Sequence, residues 1–286
     1  MRKKRYYVFL ILLLASFAVF AFAAWKLFGI YTEYHQGTET YEELQDYIQK
    51  PEENVNPSPS EDSTSEEGTQ NDGEGYLQID FAGLKKVNPD VIAWIQIPAL
   101  DISYPVVQGN DNYYYLHHMF DGQANKNGSI FVDYHNQPDF TDSNTIIYGH
   151  NMKNGSMFGT LDHYQDQSLY QQYPCFYIYV PGSVLEYQII SCYAGRNGSA
   201  GYTYSFPEPE DFQKFVDTVL SYSGYDTGVA VTDIDHIVTL STCVNTDRNY
   251  RYLVHGKLLK KFRIKKEIQE DDRFRIQPLY YGTING

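Results

Sequence analysis

The chain has 286 residues and a formal net charge of −14. That length leaves room for one medium domain with extensions, and the acidity argues against nucleic acid as a partner. Three cysteines, an odd and low number, do not make a disulfide framework.

The first thirty residues hold Arg2, Lys3, Lys4, Arg5 and Lys26 and no acid. Tyr6 to Trp25 is uncharged and almost wholly apolar, and a run of roughly 20 such residues is long enough to cross a bilayer as a helix. The basic cluster before it would stay in the cytoplasm, which places the rest of the chain outside the cell membrane. The competing reading is a cleaved signal peptide, because Ala21-Phe22-Ala23 has a small-x-small pattern. Residues 31–75 carry thirteen acids against Lys50. Tyr41, Leu44, Tyr47 and Ile48 are spaced compatibly with a helix, so the anchor continues or a short stalk forms. From Lys50 to Gly75 the chain is Pro, Glu, Ser, Asn and Gly, a composition that cannot offset its ordering entropy. We read 31–75 as an acidic, largely disordered stalk whose like charges keep it extended; an acidic binding segment is the rival reading.

A folded domain is expected over 76–260. Tyr76 to Val87 reads as a short amphipathic helix ended by Asn88-Pro89-Asp90. Eight strand-like runs follow, at 91–97, 103–107, 128–133, 144–149, 174–180, 184–193, 236–242 and 250–260. Their Gly, Pro, Asn and Asp turns predict a mainly β fold, an eight-stranded closed barrel. Pro209 to Ser221 predicts an amphipathic helix inserted between strands six and seven, and 157–170 a less regular one. The role of 261–286 is unassigned.

The run TLSTC ends a buried strand in a cysteine, Cys243. The polar turn VNTDRN follows, and then a strand that carries Arg251. If this hairpin forms, thiol and guanidinium lie side by side. A nucleophilic thiol needs a positive neighbourhood, and a developing oxyanion needs a fixed donor. Cys175 and Cys192 flank a turn in a register that does not pair them, so both are expected as small core residues. Of eight histidines, His117 and His118 are adjacent and point different ways. His255 lies at even spacing from Arg251 on the same strand. His150 ends an apolar strand at a Gly-His-Asn-Met loop, a usual place for chemistry. With no ligand set at metal spacing, neither metal nor cofactor is expected.

TLSTC with a strand-borne Arg resembles the active-site signature of the sortases. The stretch from Ile147 to Phe158 (IYGHNMKNGSMF) resembles the histidine segment of their class B. Asn88-Pro89-Asp90 with Trp94, Tyr104 to Gly109 (YPVVQG), Tyr115-Leu116 and Gly128-Ser129-Ile130-Phe131 fit the same class in order, as does the inserted helix. The resemblance implies a sortase-type β-barrel with an N-terminal helix, preceded by a transmembrane helix. It makes Cys243 the nucleophile, His150 the general acid/base and Arg251 the oxyanion and substrate clamp, with Arg248 as rival. Asn112, Leu116 and Ser241, and more loosely Tyr202 and Thr203, match the substrate groove. Val244 stands where relatives often have an acid. The implied partners are surface proteins with a C-terminal sorting signal and a peptidoglycan amine as acceptor. Two alternatives use the same residues differently: a secreted cysteine endopeptidase, and a non-enzymatic surface-tethered binding barrel.

Overall fold

The β-branched and apolar runs form strands because each is half or wholly buried against its neighbours. A computed structural model describes residues 2–49 and 75–264. Helix α1 (Arg2–Glu43) is followed by a 3-10 turn and a two-residue strand, β1 (Ile48–Gln49). Then come β2 (Gln78–Ile79), α2 (Phe81–Val87), β3 (Val91–Ile97), β4 (Ile102–Val107), α3 (Tyr114–His117), β5 (Ile130–Val132) and β6 (Asn144–Tyr148). The chain continues through α4 (Gln167–Gln172), β7 (Cys175–Val180), β8 (Ser183–Arg196), α5 (Pro209–Ser221), β9 (Ile237–Cys243) and β10 (Tyr250–Arg263).

Strands β3 to β10 close into the expected eight-stranded barrel, in the order β10-β8-β7-β3-β4-β5-β6-β9. Two neighbour pairs, β4–β5 and β6–β9, are parallel; the others are antiparallel. The hydrophobic core against which the strands pack includes Trp94, Ile95, Phe131, Leu240, Val254 and their neighbours, all fully or nearly fully buried. Helix α5 lies between β8 and β9, as the sequence predicts. Pro209 sits in its first turn with Glu210 and Asp211, where a missing N–H costs nothing and negative charge meets the helix dipole. Its buried Phe212, Phe215, Val216 and Val219 share one face and cover the outer side of the barrel together with Ile190, Tyr193 and Leu253.

Several boundaries differ from expectation. Residues 31–49 are not a free stalk: α1 runs to Glu43, and Tyr41 and Leu44 are buried against the barrel. The apolar residues that gave the segment its helical spacing have found a partner surface, while its acids remain largely in water. The helix expected over 76–87 is shortened to α2, because Gln78–Ile79 pairs with Ile48–Gln49 and Asp80 caps the helix through a bond from the Gly83 amide at 2.8 Å. Strand β10 extends past residue 260 to Arg263, paired with β8 as far as Ser183. The irregular helix at 157–170 resolves into a 3-10 turn, Leu161–Gln165, and α4. The segment from 50 to 74 and the tail from 265 lie outside the described residues.

Candidate active site

The outer face of β9 and β10 passes from covered to open along its length. Thr239 is opposite His255, Ser241 opposite Leu253, and Cys243 opposite Arg251. Phe215 of α5 and Tyr193 pack on the His255 ring. The 3-10 turn Ala200–Tyr202 covers the next step, where a Cβ on Gly201 would stand 2.8 Å from Leu253. The last pair, Cys243 and Arg251, is beyond both covers and only half-buried. Period-two alternation therefore puts thiol and guanidinium on the one stretch of this face that substrate can reach.

Strand β6 brings in the histidine. It runs parallel to β9 with Tyr148 beside Ser241, and the Gly149 amide donates to the Ser241 carbonyl at 3.1 Å. His150 thus leaves its strand at the same barrel end as Cys243. Asn151 Nδ2 donates to the Cys243 carbonyl at 2.6 Å, which pins the histidine loop to the cysteine backbone. His150 Nε2 lies 2.7 Å from the Leu116 carbonyl. A carbonyl only accepts, so Nε2 carries the proton and Nδ1 is left for proton exchange. Burial pushes the His150 pKa below its usual value; the Leu116 carbonyl opposes this, and His117 and Arg251 add to the depression.

His150, Cys243 and Arg251 line one cavity of about 250 Å³, together with Asn112, Leu116 and Ser241. Arg251 Nη1 donates to the Arg248 carbonyl at 2.7 Å and to the Tyr250 carbonyl at 3.0 Å. Arg248 itself is exposed in the turn. The Tyr202 hydroxyl is 2.7 Å from Ser241 Oγ, which sets Tyr202 at the cavity's margin. Thr203 does not line the cavity. Its side chain is exposed and its carbonyl accepts from Asn144 Nδ2 at 2.8 Å. Of the eight residues singled out from sequence, the fold therefore brings six to the cavity, one to its edge and one behind it.

Sequence reasoning missed Asp133, one residue past β5. Its buried carboxylate accepts from Asn112 Nδ2 at 2.7 Å, Tyr148 OH at 2.8 Å, and His135 N and Nδ1 at 3.0 and 2.8 Å. Asn112 Oδ1 in turn accepts from the Tyr134 amide at 3.1 Å, so the carboxamide's orientation is fixed at both ends. An acid directly after a buried strand was the available signal. His255 is fully buried, not part of the open face, and Thr239 Oγ1 lies 2.9 Å from its Nδ1. Cys192 is buried as expected, whereas Cys175 is half-exposed on the barrel wall.

The sortase domain family model matches residues 95–259. Sortase B of Listeria monocytogenes is 35% identical over 253 residues, covering 87% of this chain and 96% of its own length. This chain is a class B sortase. Sortase B of Staphylococcus aureus is 30% identical over 267 residues, 91% of this chain and 99% of its own. Among solved structures, Bacillus anthracis sortase B in complex with AAEK1 superposes with a TM-score of 0.65 at 28% identity, covering 80% of this chain and 99% of that one. A Staphylococcus aureus sortase B–substrate complex superposes with a TM-score of 0.60 at 32% identity, covering 63% and 84%. As a sortase the chain is a cysteine transpeptidase of surface-protein anchoring. The closed barrel and the inserted helix fit that membership.

Proposed function

We propose that Cys243 is the nucleophile of this sortase, His150 its general acid/base and Arg251 the clamp on the developing oxyanion. The observation that carries the reading is the cross-strand pair Cys243–Arg251 at the mouth of a cavity whose wall includes His150. The Cys243 thiolate attacks a peptide carbonyl and the oxygen takes up negative charge beside the guanidinium. The intermediate collapses as the leaving amine takes the proton from the His150 imidazolium, which leaves a thioester on Cys243. An acceptor amine then attacks the thioester and gives its proton to the imidazole, and the thiol is restored as the new amide departs. Burial and the nearby Arg251 depress the His150 pKa and so favour its neutral imidazole form.

The substrate is a C-terminal sorting signal of the Asn-Pro-x-Thr-(Gly/Asn) or (Ser/Pro)-Pro-x-Thr-Gly kind, cut after Thr, and the acceptor is a peptidoglycan amine. Asn112, Leu116 and Ser241 contact the signal, with Tyr202 at the margin; Thr203 acts through its backbone. The apolar part of α1 is the single-pass anchor, with Arg2 to Arg5 on the cytoplasmic side and the barrel outside. The helix is long and apolar enough for that role.

Mass analysis of a signal peptide incubated with the full chain, with and without an added amine, tests this. Amide product that appears only with the amine, and is absent in Cys243→Ala with its melting curve unchanged, is expected. Hydrolysis at the same rate whatever the amine concentration makes the chain an endopeptidase. Turnover by Cys243→Ala removes the thiol from the mechanism.

A further inference from the structure

Helix α1 does not end its role at the apolar span. Its last turns lie against the loop that leads from α3 to β5. Asn125 Nδ2 donates to the Glu33 carbonyl at 3.0 Å, and Lys126 pairs with the Glu33 carboxylate. Gln36 Nε2 donates to Gln123 Oε1 at 2.6 Å. Tyr41 reaches deepest, 5% exposed, with its ring edge-on to Tyr104 at 5.3 Å. Its hydroxyl donates to the Gly128 carbonyl at 2.5 Å.

Gly128 is where this contact meets the site. Its φ of +55° is in the left-handed region, which glycine adopts without cost. A Cβ placed on it would stand 3.0 Å from His150 Cδ2 and 2.9 Å from the Leu116 carbonyl oxygen, the acceptor of His150 Nε2. One peptide unit therefore separates the Tyr41 hydroxyl from the imidazole ring. On the other side Gly128 is held through its amide, which donates to the Asn125 carbonyl at 3.2 Å.

We propose that Tyr41 is a positioning residue for His150: its hydroxyl fixes the Gly128 peptide, and that peptide is the wall against which the imidazole and its Leu116 acceptor are held. The helix that continues from the apolar span is then part of the site's scaffold. A hydroxyl whose role is docking alone would bear on folding and not on the histidine. The inference rests on His150 acting as the acid/base.

The test compares the full chain in lipid nanodiscs with Tyr41→Phe and His150→Ala, measuring amine-dependent transfer over about pH 5 to 9, where an imidazole titrates. Phe keeps the ring packing on Tyr104 and removes only the hydroxyl. The titratable groups near His150 are His117 from α3, Arg251 from β10 and Cys243 from β9, and all are unchanged in the variant. The expected result is a roughly three- to tenfold loss in kcat, the effect of one hydrogen bond, with a smaller change in KM for the signal peptide. The acidic limb of the profile moves up, because an imidazole less firmly enclosed is less depressed. Wild-type kcat and an unmoved limb, with or without a lower Tm, overturn the proposal. Wild-type turnover by His150→Ala overturns the acid/base assignment instead, so the two failures are distinct.

Discussion

Arg251 stands directly across the β9–β10 ladder from Cys243. The Val244 amide donates to the Tyr250 carbonyl at 3.3 Å, which makes 243–251 a non-hydrogen-bonded pair, the kind whose side chains approach most closely. Arg248 lies in the turn and offers its carbonyl to Arg251. Arg251→Ala is therefore expected to lower kcat/KM by about 10²–10³, the effect of losing one oxyanion donor. Arg248→Ala should leave it near wild type, and Arg251→Lys should recover only part, since an ammonium lacks the planar fork. Steady-state kinetics on a signal peptide check the order; the reverse order would make Arg248 the clamp.

Asp133 holds three residues of the groove region at once: Asn112, Tyr148 and His135. Burial works against its ionisation, yet the donors outweigh it and keep the carboxyl below its usual range. Asp133→Asn turns an acceptor-only group into one that also presents N–H to those donors. A loss of about 1–3 kcal/mol of stability is expected, the cost of leaving buried donors unmatched. KM for the peptide should rise more than kcat falls, because Asn112 loses its orientation. Denaturant melts and a KM-against-kcat comparison read the two effects separately.

Tyr202 and Ser241 share one hydrogen bond of 2.7 Å at the cavity margin. A double-mutant cycle with Tyr202→Phe and Ser241→Ala should show a coupling in kcat/KM of about 0.5–1.5 kcal/mol. Strict additivity would mean that the contact is broken when the peptide is bound.

His255 gives the barrel an acid sensitivity of its own. Thr239 donates its hydroxyl proton to Asn144 Oδ1 at 2.7 Å, so the 2.9 Å bond to His255 must come from Nδ1–H, and Nε2 faces a buried aromatic surround without a partner. Burial lowers its pKa from 6.5 to about 3. The unfolded chain then binds this proton more readily than the folded one. The contribution to stability is full above about pH 6.5 and shrinks as pH falls toward 3, at up to about 1.4 kcal/mol per pH unit. Tm measured from pH 7 down to 4 should fall more steeply for wild type than for His255→Gln, which has nothing to protonate; equal slopes would refute the assignment.

The eight strands were legible because their apolar runs are bounded by strong turn signals, and the Cys243–Arg251 hairpin was legible because both residues lie within one local turn. Period-two spacing then fixed which residues share a face. His150 could be picked out only moderately from its strand end; the pairing of β6 with β9 joins residues almost a hundred positions apart. The family resemblance supplied what local pattern did not. Docking of 31–49 was hidden for the same reason: a sparse apolar spacing says that a surface exists, not which surface covers it. Asp133 was missed because its importance comes from four donors gathered from separate loops and strands. Thr203 was matched only loosely, through the family resemblance, and its side chain is exposed outside the cavity.

Every one of the eight barrel strands has a neighbour on each side. The closed order leaves no free edge strand along which an incoming peptide could add itself as a ninth strand. Its main chain has to be met by side-chain amides, loop backbone and the guanidinium, groups that are few and fixed in place. Such a surface rewards a short stretch of defined shape and gives little to the residues beyond it, which is what an enzyme must do if it is to cut one place in a long polypeptide and leave the remainder intact.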